Sequence, residues 1–135
     1  MDKLEYIPRD LVSVYVGIKK YIVEVIGTEN ENEALLYQIK FQNREIQYAD
    51  KDNIVPIPLT PEILKKNGWK KKMYCDWCYY LPIEGNLLYL SKGTGIDGAF
   101  SVGVGQGMSY VASINFVHQL QHFLFGLGLN SELEV

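Results

Sequence analysis

The chain has 135 residues, 47% of them hydrophobic and 21% charged, a size and balance that fit one packed core and exclude extended disorder or a multidomain enzyme. Its formal net charge of -3 excludes the general basicity by which many proteins coat nucleic acid or anionic membrane. Tyrosine, at 10 residues, outnumbers the 5 phenylalanines and 2 tryptophans, so many apolar side chains carry a hydroxyl that needs a partner or water.

The opening residues Met1-Asp2-Lys3-Leu4-Glu5 offer no positive flank leading into an apolar run, and no stretch is long enough to cross a bilayer. A cytoplasmic protein without membrane contact is expected. Two cysteines, Cys75 and Cys78, cannot build a disulfide framework, which agrees with a reducing compartment.

From residue 8 to 57 the chain predicts β-structure, because short apolar runs alternate with polar turn residues. Leu11 to Val16 is the first strand and Gly17 to Lys20 a turn. Tyr21 to Ile26 follows, with Tyr21, Val23 and Val25 on one face. Gly27 and the acidic stretch 28–33 predict a loop. Leu35, Tyr37, Ile39 and Phe41 alternate with Leu36, Gln38 and Lys40 and mark a strand buried on one side, with Tyr21 and Tyr37 facing the core. A turn at Gln42-Asn43-Arg44 leads to runs around Ile46 and Tyr48 and from Ile54 to Ile57.

Residues 60 to 67 predict a short helix. Thr60 can cap its free amides, Pro61 suits the first turn, Glu62 complements the positive end of the dipole, and Gly68 can supply the left-handed residue that ends it. Strands are expected again over 69–104, with Pro82 to Asn86 as a turn, Leu87 to Leu90 returning, glycines at 93, 95 and 98 turning once more, and Phe100 to Val104 closing the series. Residues 113 to 125 predict the C-terminal helix. Phe116, Val117, Leu120, Phe123, Leu124 and Leu127 fall on one side, and Asn115, His118, Gln119 and His122 on the other; Phe125 lies on the polar side, beside His118 and Gln121. The tail from Asn130 to Val135 is expected to be loose.

Three constellations carry chemistry. Cys75, Cys78, His118 and His122 are paired at spacings used by zinc sites. Residues 79 to 117 separate the pairs, far more than a compact finger allows, and on a continuous strand the two cysteines point to opposite faces. The ordinary account is two half-buried thiols and a solvated helix face, with no metal and no cofactor. Gly93-Thr94-Gly95-Ile96-Asp97-Gly98 matches a dinucleotide search pattern but opens no helix after a strand, so bends account for it.

Lys65, Lys66, Lys70, Lys71 and Lys72 cluster beside Trp69, Tyr74, Trp77, Tyr79, Tyr80 and Tyr89. Phosphates want charge and bases want flat partners, so this patch fits single-stranded nucleic acid. The competing account is a charged edge strand that resists aggregation. No G-x-S-x-G elbow and no H-E-x-x-H occurs, so no catalytic residue is assigned.

Pro56-Ile57-Pro58-Leu59-Thr60-Pro61-Glu62-Ile63-Leu64 with Asn67-Gly68-Trp69, and later Phe116-Val117-His118-Gln119-Leu120-Gln121, resemble a family of small uncharacterised proteins of gut Bacteroidales and their phages and prophages. The resemblance covers roughly residues 8 to 128. It implies a β-rich start, a middle helix, further strands and a closing helix, and it carries no activity. The chain departs from the family pattern in lacking a glycine-asparagine turn within residues 10 to 20 and in having His122 where asparagine is expected.

The expectation is a single α+β domain: a mainly antiparallel curled sheet or small barrel with a short middle helix and a C-terminal helix. A non-enzymatic protein-interaction module, phage-derived and able to self-associate, is the leading functional expectation. Its contact residues are expected among Trp69, Lys70, Lys71, Lys72, Tyr74, Trp77, Tyr79, Tyr80, Tyr89 and Phe125. Nucleic-acid binding and zinc binding are the alternatives.

Overall fold

A computed structural model of the protein describes residues 6–31, 34–71, 78–83, 86–92, 100–104 and 109–135. Its strands are β1 (Leu11–Val16), β2 (Lys19–Glu31), β3 (Ala34–Lys40), β4 (Ile46–Asp50), β5 (Ile54–Pro56), β6 (Lys70–Lys71), β7 (Cys78–Ile83), β8 (Asn86–Lys92), β9 (Phe100–Val104) and β10 (Ser109–Ile114). The helices are α1 (Pro61–Lys66) and α2 (Val117–Gly126). The α+β class and the antiparallel pairing follow the expectation. A single curled sheet or small barrel does not: there are two open five-stranded sheets, ordered β4-β3-β2-β1-β5 and β10-β9-β8-β7-β6. They belong to two compact units, Met1–Ile57 with Phe116–Glu132, and Pro58–Asn115 with Leu133–Val135.

In the first unit the predicted alternation sets the core. Val12 and Val14 of β1, Val23 and Val25 of β2, and Tyr37 and Ile39 of β3 are all buried, and Leu35 and Phe41 pack against them. Tyr6 sets its ring edge-on to Tyr37 at 5.4 Å. Tyr21 is the exception: 40% exposed near the turn of the β1–β2 hairpin, it packs edge-to-face on Phe41 instead of entering the core. The acidic stretch expected to be a loop continues β2, because Thr28 to Glu31 find backbone partners in Ala34 to Tyr37 after a register shift between Val25 and Gly27. Polar side chains tolerate an extended backbone when the ladder is filled and the side chains face water.

In the second unit α1 forms as its caps dictate. Ile63 N–H donates to Thr60 Oγ1 at 3.3 Å, and Gly68 takes φ +87° where the helix ends. The tail is tied down, contrary to expectation: Asn67 Nδ2 donates to the Glu134 carbonyl and Glu134 N–H to Asn67 Oδ1, both at 2.8 Å. The turn expected from Pro82 to Asn86 is shorter, since Pro82 lies within β7 opposite Leu87. Residues 109–114 form β10 against β9, so the C-terminal helix begins at Val117, not at 113.

Candidate functional site

The first unit brings together the N-terminal segment and one face of α2. Asp10 N–H donates to the Ile7 carbonyl at 3.1 Å, and the Ile7 amide donates to Asp10 Oδ2 at 2.9 Å, closing a small turn. Within it Arg9 takes φ 79°, a conformation that a non-glycine residue adopts only when its surroundings impose it. The surroundings are visible. Arg9 N–H donates to the Val25 carbonyl at 2.7 Å, and its own carbonyl accepts from Gln121 Nε2 at 2.9 Å. Gln121 Oε1 in turn accepts from Leu11 N–H at 2.8 Å.

The next residue on α2 completes the arrangement. His122 Nε2 lies 2.7 Å from Asp10 Oδ2, a charge-assisted distance, and the carboxylate is 2% exposed. Burial pushes the Asp10 carboxyl above its ordinary range, while the Ile7 amide and His122 act in the opposite sense by favouring the anion. One turn earlier, His118 is 3% exposed, stacked on Phe116 at 5.9 Å and edge-on to Tyr6 at 5.0 Å. Burial, with His122 5.6 Å away, lowers His118 to about 4, and its Nδ1 has no hydrogen-bond partner among the described residues.

Beside the Asp10–His122 pair lies a cleft of about 280 Å³. Ile7, Pro8 and Phe125 supply its apolar lining; Arg9, Asp10, Gln121, His122 and Ser131 supply the polar part. A second recess, of about 400 Å³, lies at the end of the sheet among Lys20, Tyr21, Ile22, Phe41, Gln42 and Asn43.

The residues singled out by sequence divide. Trp69, Tyr79 and Tyr89 are buried, at 3%, 5% and 7%, so they are core residues of the second unit and not stacking platforms; Tyr79 packs edge-on to Phe100 at 6.3 Å. Tyr80 is half-buried, and Lys70 and Lys71 are exposed opposite Tyr80 and Tyr79. Lys72, Tyr74, Cys75 and Trp77, with the glycine pattern 93–98, lie outside the described residues. Cys78 is buried, with Sγ 3.6 Å from Ser91 Oγ, and no group of three or more metal-ligating side chains occurs among the described residues. His118 and Gln121 correct the expected polar face of α2: both are buried, and Leu127, assigned to the apolar side, is 45% exposed. Phe125 is 68% exposed, as its place on the polar side predicts.

Asp10 carries no sequence signal. Its one local cue, a short polar residue before an apolar run, marks turns throughout the protein, and nothing at position 10 points to position 122. Comparison with protein-family models, with curated proteins and with solved structures found no match.

Proposed function

We propose that the protein is a non-enzymatic interaction module whose docking surface is the tip of the β1–β2 hairpin, not the 69–91 region. The observation that supports this is the exposure of Ile18, 98%, at a turn flanked by Tyr15 at 49%, Val16 at 48%, Tyr21 at 40% and Ile22 at 38%. A single exposed apolar side chain is ordinary on a soluble protein, whereas a cluster of five around one turn is the pattern of a contact surface. Tyrosine suits such a surface because it offers a large rigid body and a hydroxyl that tolerates water. The recess beside Tyr21 and Ile22 can receive an apolar side chain of the partner.

Lys19 and Lys20 are exposed on the same hairpin. The complementary partner therefore presents an apolar patch rimmed by acidic residues. A photo-crosslinking amino acid at position 18, expressed in the native host, is expected to give a discrete protein adduct that Lys19→Glu with Lys20→Glu weakens. Equal adduct formation from position 52, exposed elsewhere in the same unit, overturns the reading. An adduct of twice the chain mass identifies the partner as a second copy.

A further inference from the structure

We propose that the cleft beside Asp10 and His122 binds a small monocarboxylate with an apolar body, its head group held by His122 Nδ1 and the Arg9 guanidinium and its body lying against Ile7, Pro8 and Phe125. The site is distinct from the hairpin surface and does not depend on it.

Several polar groups around the cleft are already engaged. Gln121 uses its amide fully, accepting from Leu11 N–H and donating to the carbonyls of Arg9 and, at 3.2 Å, Ser131. Asp10 is buried and holds the Ile7 amide and His122 Nε2. Its carboxylate fixes the orientation of the imidazole, in the way that an outer carboxylate orients a functional histidine. The His122 side chain is still 35% exposed, and Nδ1 makes no hydrogen bond among the described residues.

What remains for a ligand is a set of donors. Arg9 lines the cleft with its side chain 72% exposed, held among the described residues by a 3.9 Å contact to the equally exposed Glu132, a pair worth little in water. A protonated His122 donates from Nδ1, and Ser131 belongs to the same lining. Two groups able to carry positive charge, with the one lining carboxylate already satisfied, call for an anion with planar acceptors, which guanidinium matches well. The apolar lining calls for a hydrophobic body on that anion, and about 280 Å³, just below the usual ~300–1,000 Å³ of ligand pockets, calls for a small one. Bare phosphate or acetate would leave Ile7, Pro8 and Phe125 uncovered.

The structural alternative is that Asp10–His122 only staples the N-terminal turn to α2. Ligand titration of the whole chain, observing the His122 ring by NMR, separates the two. Benzoate and octanoate are the probes, with benzyl alcohol and acetate as controls. Saturable shifts of His122 and Phe125 are expected with the first two, with benzyl alcohol and acetate each about tenfold weaker or more. Arg9→Gln and Phe125→Ala, both at exposed positions, should each weaken benzoate severalfold while leaving the fold intact. No saturable shift overturns the proposal and leaves the staple. Equal binding of benzyl alcohol overturns the anion part, and equal binding of acetate overturns the apolar part.

Discussion

Asp10 Oδ2 and His122 Nε2 meet at 2.7 Å across 112 positions of sequence, with the carboxylate removed from water. A buried carboxylate is strongly unfavourable unless paired. Here the pair joins the segment before β1 to the face of α2, alongside the three hydrogen bonds of Gln121.

Removing one partner is therefore expected to be costly. Asp10→Ala leaves the Ile7 amide and His122 Nε2 unmatched and should lower stability by about 1–3 kcal/mol. Asp10→Asn keeps the shape and an acceptor for one of them and should cost less. Urea unfolding of the two variants tests the order; equal loss would mean that the charge carries the whole effect and that the shape and acceptor kept by asparagine contribute nothing.

Protonation of His118 opposes the fold. Its folded value is lowered to about 4 from 6.5, so the unfolded chain binds the extra proton between those values. Stability should fall as pH drops from about 6.5 towards 4, by at most about 3 kcal/mol, and level off below. The raised Asp10 value acts the other way: the folded state holds its proton more tightly, so that contribution falls as pH rises above 3.8. His118→Leu also removes a buried nitrogen that has no partner among the described residues, and denaturation measured across this range should show the acid-side loss flattened.

The two ends of α1 make separate predictions. Thr60→Ala deletes the bond to Ile63 N–H and should cost about 1 kcal/mol. Gly68→Ala forces an L residue to φ +87° and should cost at least about 1 kcal/mol. Gly126→Ala is the contrast, because the glycine has an ordinary φ and open space around it within α2; that change should be neutral or stabilising by up to about 1 kcal/mol. Thermal unfolding of the three variants checks the signs.

Ile18→Asp should leave stability within about 0.5 kcal/mol of the parent, since the side chain is 98% exposed. The same variant should abolish the adduct formed through the hairpin, measured with a crosslinker placed at position 16. A large loss of stability would show that Ile18 is part of a folding core and not a contact residue.

Local chemistry was legible where it is self-contained. The alternation in β3, the apolar runs of β1 and β9 and the caps of α1 specify those elements from neighbours along the chain, because a period of two or a threonine three residues before an amide needs no distant information. The same pattern placed Val23, Val25, Tyr37 and Ile39 inside. It misled at Tyr21, where the face was right but the strand end lies beyond the core, and over 28–31, where composition argued for a loop and backbone pairing made a strand.

What only the tertiary structure decided is where polar side chains find partners. His118, Gln121 and His122 are polar in any helical projection. Gln121 is buried because Arg9, Leu11 and Ser131 satisfy it, and His122 is held because Asp10 reaches it. Likewise the aromatic excess was plain in the composition, but whether a tyrosine forms core or surface depends on which strand pairs beside it: Tyr79 and Tyr89 are enclosed and Tyr15 is not. The sequence by itself determined the α+β class, the antiparallel strands and the short capped helix, all set by interactions within a few residues. Two sheets in place of one, and a carboxylate–imidazole pair beside an apolar cleft, came from contacts between residues up to 112 positions apart, which no local pattern encodes.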